Sequence, residues 1–205
     1  LRLRPPPLEG PCSWLVIPAN RSRLSPVNFQ DTQLIGVLAR AESTVSSLSD
    51  LLGGLVEKFA ARGYSLYLVG GSVRDALLGR LGNDLDFTTP ARPDVVKEIL
   101  DEWAETVWDT GIDFGTVSAA YKGQQIEITT FRSDSYDGQS RNPEVVYGDT
   151  LEGDLVRRDF KVNAMAIELL ADASFTFHDP LHGLHDIADP VSYTHLRAHE
   201  TEADL

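Results

Sequence analysis

Two aspartates one residue apart, Asp84 and Asp86, follow a glycine pair, Gly70-Gly71, and each half of that arrangement can do chemistry with phosphate. On a strand, side chains at i and i+2 point to the same side, so the two carboxylates project together while Leu85 turns inward. Adjacent carboxylates repel unless a cation lies between them. A hard divalent ion such as Mg2+, held by carboxylates and substrate phosphates, resolves that repulsion. The glycine pair removes the Cβ atoms that would keep a ligand off the backbone, and the N–H groups opening the next helix favour an anion. Gly-Gly alone is more often a plain turn, and Asp-x-Asp alone more often two solvated acids. Their order and spacing between strand-like runs favour a nucleotide site with its metal. Neither G-x-G-x-x-G nor G-K-[ST] is present, so the site is neither a dinucleotide fingerprint nor a P-loop.

The elements that must position these residues follow from periodicity. Leu66 to Val69 predicts a strand that breaks at the glycines, Val73 to Leu78 a helix closed by Gly79, and Leu85 to Thr89 a second strand. Upstream, Leu34, Val37, Leu38, Leu48, Leu51, Leu52, Leu55, Val56 and Phe59 fall at helical spacing between Asp31 and Arg62, with Gly63 as C-cap. This reads as a packing helix without chemistry. Downstream, Pro93 opens a helix that carries Val95, Val96, Ile99, Leu100 and Trp103 on one side, and Thr106 to Trp108 is a short strand. Gly115 to Tyr121 and Gln125 to Phe131 form a hairpin through Lys122-Gly123. Residues 133–153 are polar and read as a mobile loop; their acids lack the spacing of a calcium loop. Leu155 to Asn163 reads as a helix with Asp154 as N-cap, and Ala164 to Leu170 as a strand. The sum is an α/β (α+β) fold, a mixed β-sheet flanked by helices.

Other chemistry-bearing residues fall on these elements. Glu127 sits among Ile126, Ile128, Thr129 and Thr130, where an acid needs a partner or a metal, or else faces solvent. Arg157-Arg158 followed by Asp159 reads on its own as a helix face with an intrahelical ion pair. His178, His182 and His185 surround a turn and have no further ligand at metal spacing, so they read as surface histidines.

Three segments in order, Gly70-Gly71-Ser72-Val73-Arg74-Asp75, Asp84-Leu85-Asp86 and Arg157-Arg158-Asp159-Phe160-Lys161-Val162-Asn163-Ala164-Met165-Ala166, resemble the head of the CCA tRNA nucleotidyltransferase and bacterial poly(A) polymerase family. The resemblance covers roughly residues 50–187 and includes Asp179-Pro180 to Gly183, a turn that in the family enters a neck. It implies a nucleotidyltransferase-type mixed sheet and template-independent transfer of CMP and AMP from CTP and ATP to the 3′ end of tRNA. It implies Mg2+ on Asp84 and Asp86, with Glu127 as a third catalytic carboxylate beside them. Nucleotide-binding roles pass to Gly70, Gly71, Arg74, Asp75, Arg157, Arg158, Asp159 and Asn163. In that scheme the glycines admit the β- and γ-phosphates, the arginines face the triphosphate, Asp75 orients Arg74, and Asn163 supports by hydrogen bonding. Poly(A) polymerases share every one of these segments, which leaves poly(A) addition as an alternative. A non-catalytic head that holds Mg-nucleotide is an alternative of another class.

Composition bounds the rest. A net charge of −13 over 205 residues argues against a general nucleic-acid coat, so a tRNA needs a local basic patch or further domains. One cysteine, Cys12, excludes an internal disulfide and suits a cytoplasmic protein. No apolar run is long enough to span a membrane, no signal peptide is evident and no protein partner is implied. Residues 1–30, with Pro5-Pro6-Pro7 and four Arg against one Glu, read as a disordered leader, and 31–187 as the head domain with its N-terminal helix. Beyond Ile187 the resemblance stops, and residues 188–205 read as a foreign tail; the initial Leu suggests a fragment or an upstream extension.

Overall fold

The computed structural model describes residues 14–16, 29–133, 146–172 and 174–188. Its frame is an eight-stranded sheet of β1 (Trp14–Val16), β2 (Leu66–Val69), β3 (Asp84–Thr89), β4 (Thr106–Trp108), β5 (Thr116–Tyr121), β6 (Gln124–Thr130), β7 (Ala166–Leu169) and β8 (Phe175–His178). The strands lie in the order β1-β8-β7-β2-β3-β6-β5-β4. β3 and β6 run parallel, with Asp86 opposite Glu127, and the remaining neighbours run antiparallel, so the sheet is mixed as expected.

Strand alternation divides the sheet into two faces. Leu66, Leu68, Leu85, Phe87, Val117, Ala119, Ile126, Ile128, Ile167 and Phe177 form one, buried together with residues of four helices. These are α1 (Phe29–Ala61) through Leu52, Leu55 and Phe59, α2 (Gly70–Leu77) through Val73 and Leu77, α3 (Pro93–Asp101) through Ile99 and Leu100, and α5 (Gly183–Ala188) through Ile187. Each large apolar side chain buried there contributes roughly 1.5–3 kcal/mol. The alternate positions form the other face, and α4 (Leu151–Val156) covers its middle, where Leu155 packs with Val69 and Ala166. The chemistry-bearing residues of β3 and β6 lie on this second face because the first is committed to the core.

Local chemistry explains the ends of the elements. Gly79 (φ +70) closes α2: its N–H and that of Arg80 donate to the carbonyls of Ala76 and Asp75, a double closure that needs a left-handed residue. Gly63 (φ +79) closes α1 in the same way. Lys122 (φ 46) and Gly123 (φ 77) make the two-residue β5–β6 turn, whose twist matches that of the strands.

Several boundaries differ from the sequence reading. α2 begins at Gly70 and follows β2 directly, so the glycine pair is the helix's first turn, not a linker before Val73. The stretch read as a loop to residue 153 already belongs to α4 from Leu151; Thr150 is its N-cap, accepting at Oγ1 from the Gly153 N–H at 3.2 Å. The helix expected from Leu155 to Asn163 stops at Val156, and a 3-10 turn at Lys161–Asn163 follows. Trp14–Val16, inside the expected leader, pairs antiparallel with β8. The rest of residues 1–28, the loop segment 134–145 and residues 189–205 lie outside the described residues. Among the described residues no helix is long and apolar enough to cross a membrane.

Candidate active site

β3 presents Asp84 and Asp86 as exposed residues flanking buried Leu85. Ser72, in the first turn of α2, fixes them from behind: its Oγ accepts from the Asp86 N–H at 3.0 Å and donates to the Asp84 carbonyl at 3.3 Å. Glu127 stands opposite Asp86 on β6. Although Asp86 is exposed as a residue, the cleft walls around its carboxyl desolvate it and raise it above its ordinary value, and Glu127 and Asp84 push it the same way, against the opposing pull of Arg158 and Ser72 Oγ. A divalent cation relieves such repulsion, and the all-oxygen donor set suits a hard ion. Among the described residues no three His, Cys, Asp or Glu side chains form a complete metal cage. An ion here takes its remaining ligands from water or substrate.

The facing wall is basic. The chain leaves α4 at Arg157, and both arginines turn back onto Asp154, which is 0 % exposed. Arg157 donates from Nε (3.2 Å) and Nη2 (2.9 Å) to Oδ1, and Arg158 from Nη2 (3.0 Å) to Oδ2. The arginine pair is therefore tied to Asp154 at the i,i+3 and i,i+4 spacing of an intrahelical ion pair, with Asp154 and not Asp159 as the acid, and Asp154 is a buried ion-pair hub instead of an N-cap. Burial alone would raise its carboxyl, but Arg158, the Arg132 N–H and Arg157 outweigh it and hold it below the usual range.

Between the two walls lies a cleft of about 470 Å3 lined by Asp86, Glu127, Arg132, Arg157, Arg158, Asp159, Phe160 and Asn163, with Val69, Phe87 and Thr129 at its floor. Arg158 Nε and Asn163 Oδ1 are buried there without a hydrogen-bond partner, a donor and an acceptor left for a ligand. Six of the residues singled out from the sequence thus meet in one cavity. Gly70, Gly71, Arg74, Asp75 and Asp84 lie outside its lining. A Cβ on Gly70 (φ +64) would stand 3.1 Å from Arg158 Nη1, so the glycine turn and the arginine wall meet. Asp75 accepts from Arg74 Nε at 3.1 Å and from Arg80 Nη2 at 3.3 Å.

Sequence reasoning overlooked Ser72, Arg132 and the hub role of Asp154. Arg132 closes the outer end of the cleft, with Nη2 donating to the Phe114 carbonyl at 2.5 Å and to Thr116 Oγ1 at 3.3 Å. Its position directly after an acid-bearing strand was the available signal. The histidines do not assemble. His178 is buried on β8 with Nε2 3.5 Å from Glu168, contrary to a surface reading, and Tyr67 meets its ring edge-on.

A family model described as the poly A polymerase head domain matches residues 66–191. The CCA-adding enzyme of Listeria monocytogenes serotype 4a (strain HCC23) is 43% identical over 130 residues, which are 63% of this chain and 31% of that protein. The chain spans about a third of the length of the curated relatives it matches. Among solved structures, the Bacillus stearothermophilus CCA-adding enzyme in complex with CTP superposes with a TM-score of 0.54 at 35% identity, over 68% of this chain and 31% of the other. A tRNA nucleotidyltransferase complexed with a primer tRNA and an incoming ATP analog gives a TM-score of 0.50 at 28% identity, over 74% and 40%.

Proposed function

The chain belongs to the poly A polymerase head-domain family, and from that premise we propose that it is the catalytic head of a nucleotidyltransferase that adds CMP and AMP from CTP and ATP to the 3′ end of tRNA. The observation that carries the reading is the single cleft with carboxylates on one wall and paired arginines on the other, dimensioned for a nucleoside triphosphate. The CCA-adding relatives, one solved with CTP and another nucleotidyltransferase with primer tRNA, support the substrates.

Asp84 and Asp86 would hold Mg2+, with Glu127 beside them. The ion, when bound, lowers the pKa of the attacking 3′-hydroxyl and neutralises phosphate charge. The chain's own groups do the rest. Gly70 and Gly71 let the triphosphate approach the first turn of α2, where backbone N–H groups point outward. Arg158, with Arg157 behind it and Arg74 at the glycine turn, faces the charge that builds on the departing pyrophosphate, and fixed donors there stabilise it most. Asp75 holds Arg74, and the open acceptor on Asn163, with Asp159 beside it, can take a nucleotide donor. The acceptor RNA would be held mainly by parts of the protein beyond this head. A reducing, cytoplasmic setting fits the single Cys12.

The head-domain description leaves poly(A) addition as a second reading, since the same cleft serves it, and a head that binds Mg-nucleotide without transfer is the reading of another class. Calorimetric titration with CTP and ATP, with and without Mg2+, beside the Asp84→Ala/Asp86→Ala protein, tests the site. Metal-dependent binding that the double variant loses is the expected result; identical behaviour of the two proteins would remove the carboxylates from the site.

A further inference from the structure

We propose that Asp154 is a positioning residue that holds Arg157 and Arg158 in one fixed orientation, presenting a preset grip to a polyphosphate chain; this rests on the nucleotide reading of the cleft. The geometry is unusually complete for one side chain. Oδ1 accepts three N–H groups, Arg157 Nε and Nη2 and the Arg132 backbone N–H at 3.0 Å. Oδ2 accepts Arg158 Nη2 and lies 3.4 Å from Thr88 Oγ1, whose single proton is shared with the Thr129 carbonyl at 3.0 Å. These neighbours come from β3, from the second residue beyond β6 and from the segment after α4, so one carboxylate references the arginine pair to the strands that bear the acids.

A buried charge survives only when it is fully paired. Here the pairing is lopsided: the Arg157 and Arg158 guanidinium groups converge on a single carboxylate, Arg132 lines the same cleft with its own guanidinium bonded to neutral oxygens, and Arg158 Nε is buried and unbonded, which leaves surplus positive charge on the cleft wall. A guanidinium already clamped on one edge loses little freedom when its other edge meets phosphate. Asp154 is thus a negative group whose presence favours binding of a polyanion, because orientation outweighs the unfavourable charge.

That sign makes the proposal testable. Inorganic tripolyphosphate is titrated, without divalent ions, into the wild-type chain and into Asp154→Asn, with Arg158→Ala as reference, while 15N spectra follow the arginine Nε–H signals. We expect Asp154→Asn to weaken tripolyphosphate about tenfold or more despite removal of a negative charge, and Arg157 Nε–H exchange to quicken by a similar factor, with the amide spectrum of the fold retained. Unchanged or tighter binding would overturn the proposal, since a purely structural or purely charge-compensating aspartate gives those results. No binding by wild type would instead remove the phosphate reading of the cleft. Should Asp154→Asn fail to fold, the wild-type spectrum decides: an Arg157 Nε–H as fast-exchanging as that of an exposed arginine overturns the clamp, and a protected one supports it.

Discussion

Asp86, which lines the cleft, and Asp154, buried behind its arginine wall, carry charges that act on stability with opposite sign. The folded pKa of Asp86 is raised by burial, Glu127 and Asp84, so its ionised form costs stability at neutral pH, and the cost fades as pH falls through the folded value. That of Asp154 is lowered, so it contributes stability above its unfolded value near 4, lost as pH falls through the folded one. Asp86→Asn should therefore raise Tm at pH 7, with the gain vanishing in acid; thermal melts across pH 7 to 3 check it, and a loss of Tm at pH 7 would contradict the repulsion. If the proposed transfer activity holds, Asp84→Ala should lower transfer about 10²–10³-fold or more while the melting temperature stays unchanged; substantial turnover would refute its role. The Asp84–Asp86 pair was legible because a two-residue period has one structural meaning on a strand. Asp154 was not, because an aspartate ahead of a helical run looks the same as a cap or as a buried hub.

At the scale of elements, the arginine wall leans on a neighbour that sequence reading treated only as an exit turn. Asp179 accepts the N–H groups of Gly183 (2.8 Å) and Leu184 (3.0 Å), capping α5. The start of α5 lies against the 3-10 turn that carries Asn163, so closely that a Cβ on Gly183 would fall 2.2 Å from the Lys161 carbonyl oxygen. Asp179→Ala should cost about 0.5–2 kcal/mol, as lost caps do. Gly183→Ala should cost about 1–3 kcal/mol and also weaken nucleotide binding by displacing Asn163. Denaturant melts paired with nucleotide titration separate the two effects, and a Gly183→Ala protein with normal affinity would uncouple α5 from the site. β2 and β4 were legible to the residue because apolar, β-branched runs were cut off by glycine or polar residues. β1 was hidden in proline-rich sequence and α4 in a polar stretch, since each is held by tertiary pairing and not by its own propensity.

Across the whole molecule, acidity and phosphate binding are reconciled by segregation: a chain of net charge −13 concentrates three arginines on one cleft wall. The lining groups named here are assigned to phosphate and metal, so CTP and ATP should bind this chain within about threefold of each other. A calorimetric preference well beyond that would place base selection in the head. The fold class followed from element order alone, but the pairing of β3 with β6 across an intervening helix and hairpin did not, because no local signal encodes which edge a later strand will choose. That order has a consequence for biosynthesis. The central strands β2 and β3 leave the ribosome early, while their flanking partners come late: Asp84 waits for Gln125, and Leu66 for Leu169. Until those partners are made, the β2–β3 pair, joined through α2, has two bare edges, the situation that invites strand addition between nascent chains. The one that stays open toward β6 carries two aspartates, and mutual charge repulsion keeps such edges apart. The acid pair thus also guards the chain before the cleft exists.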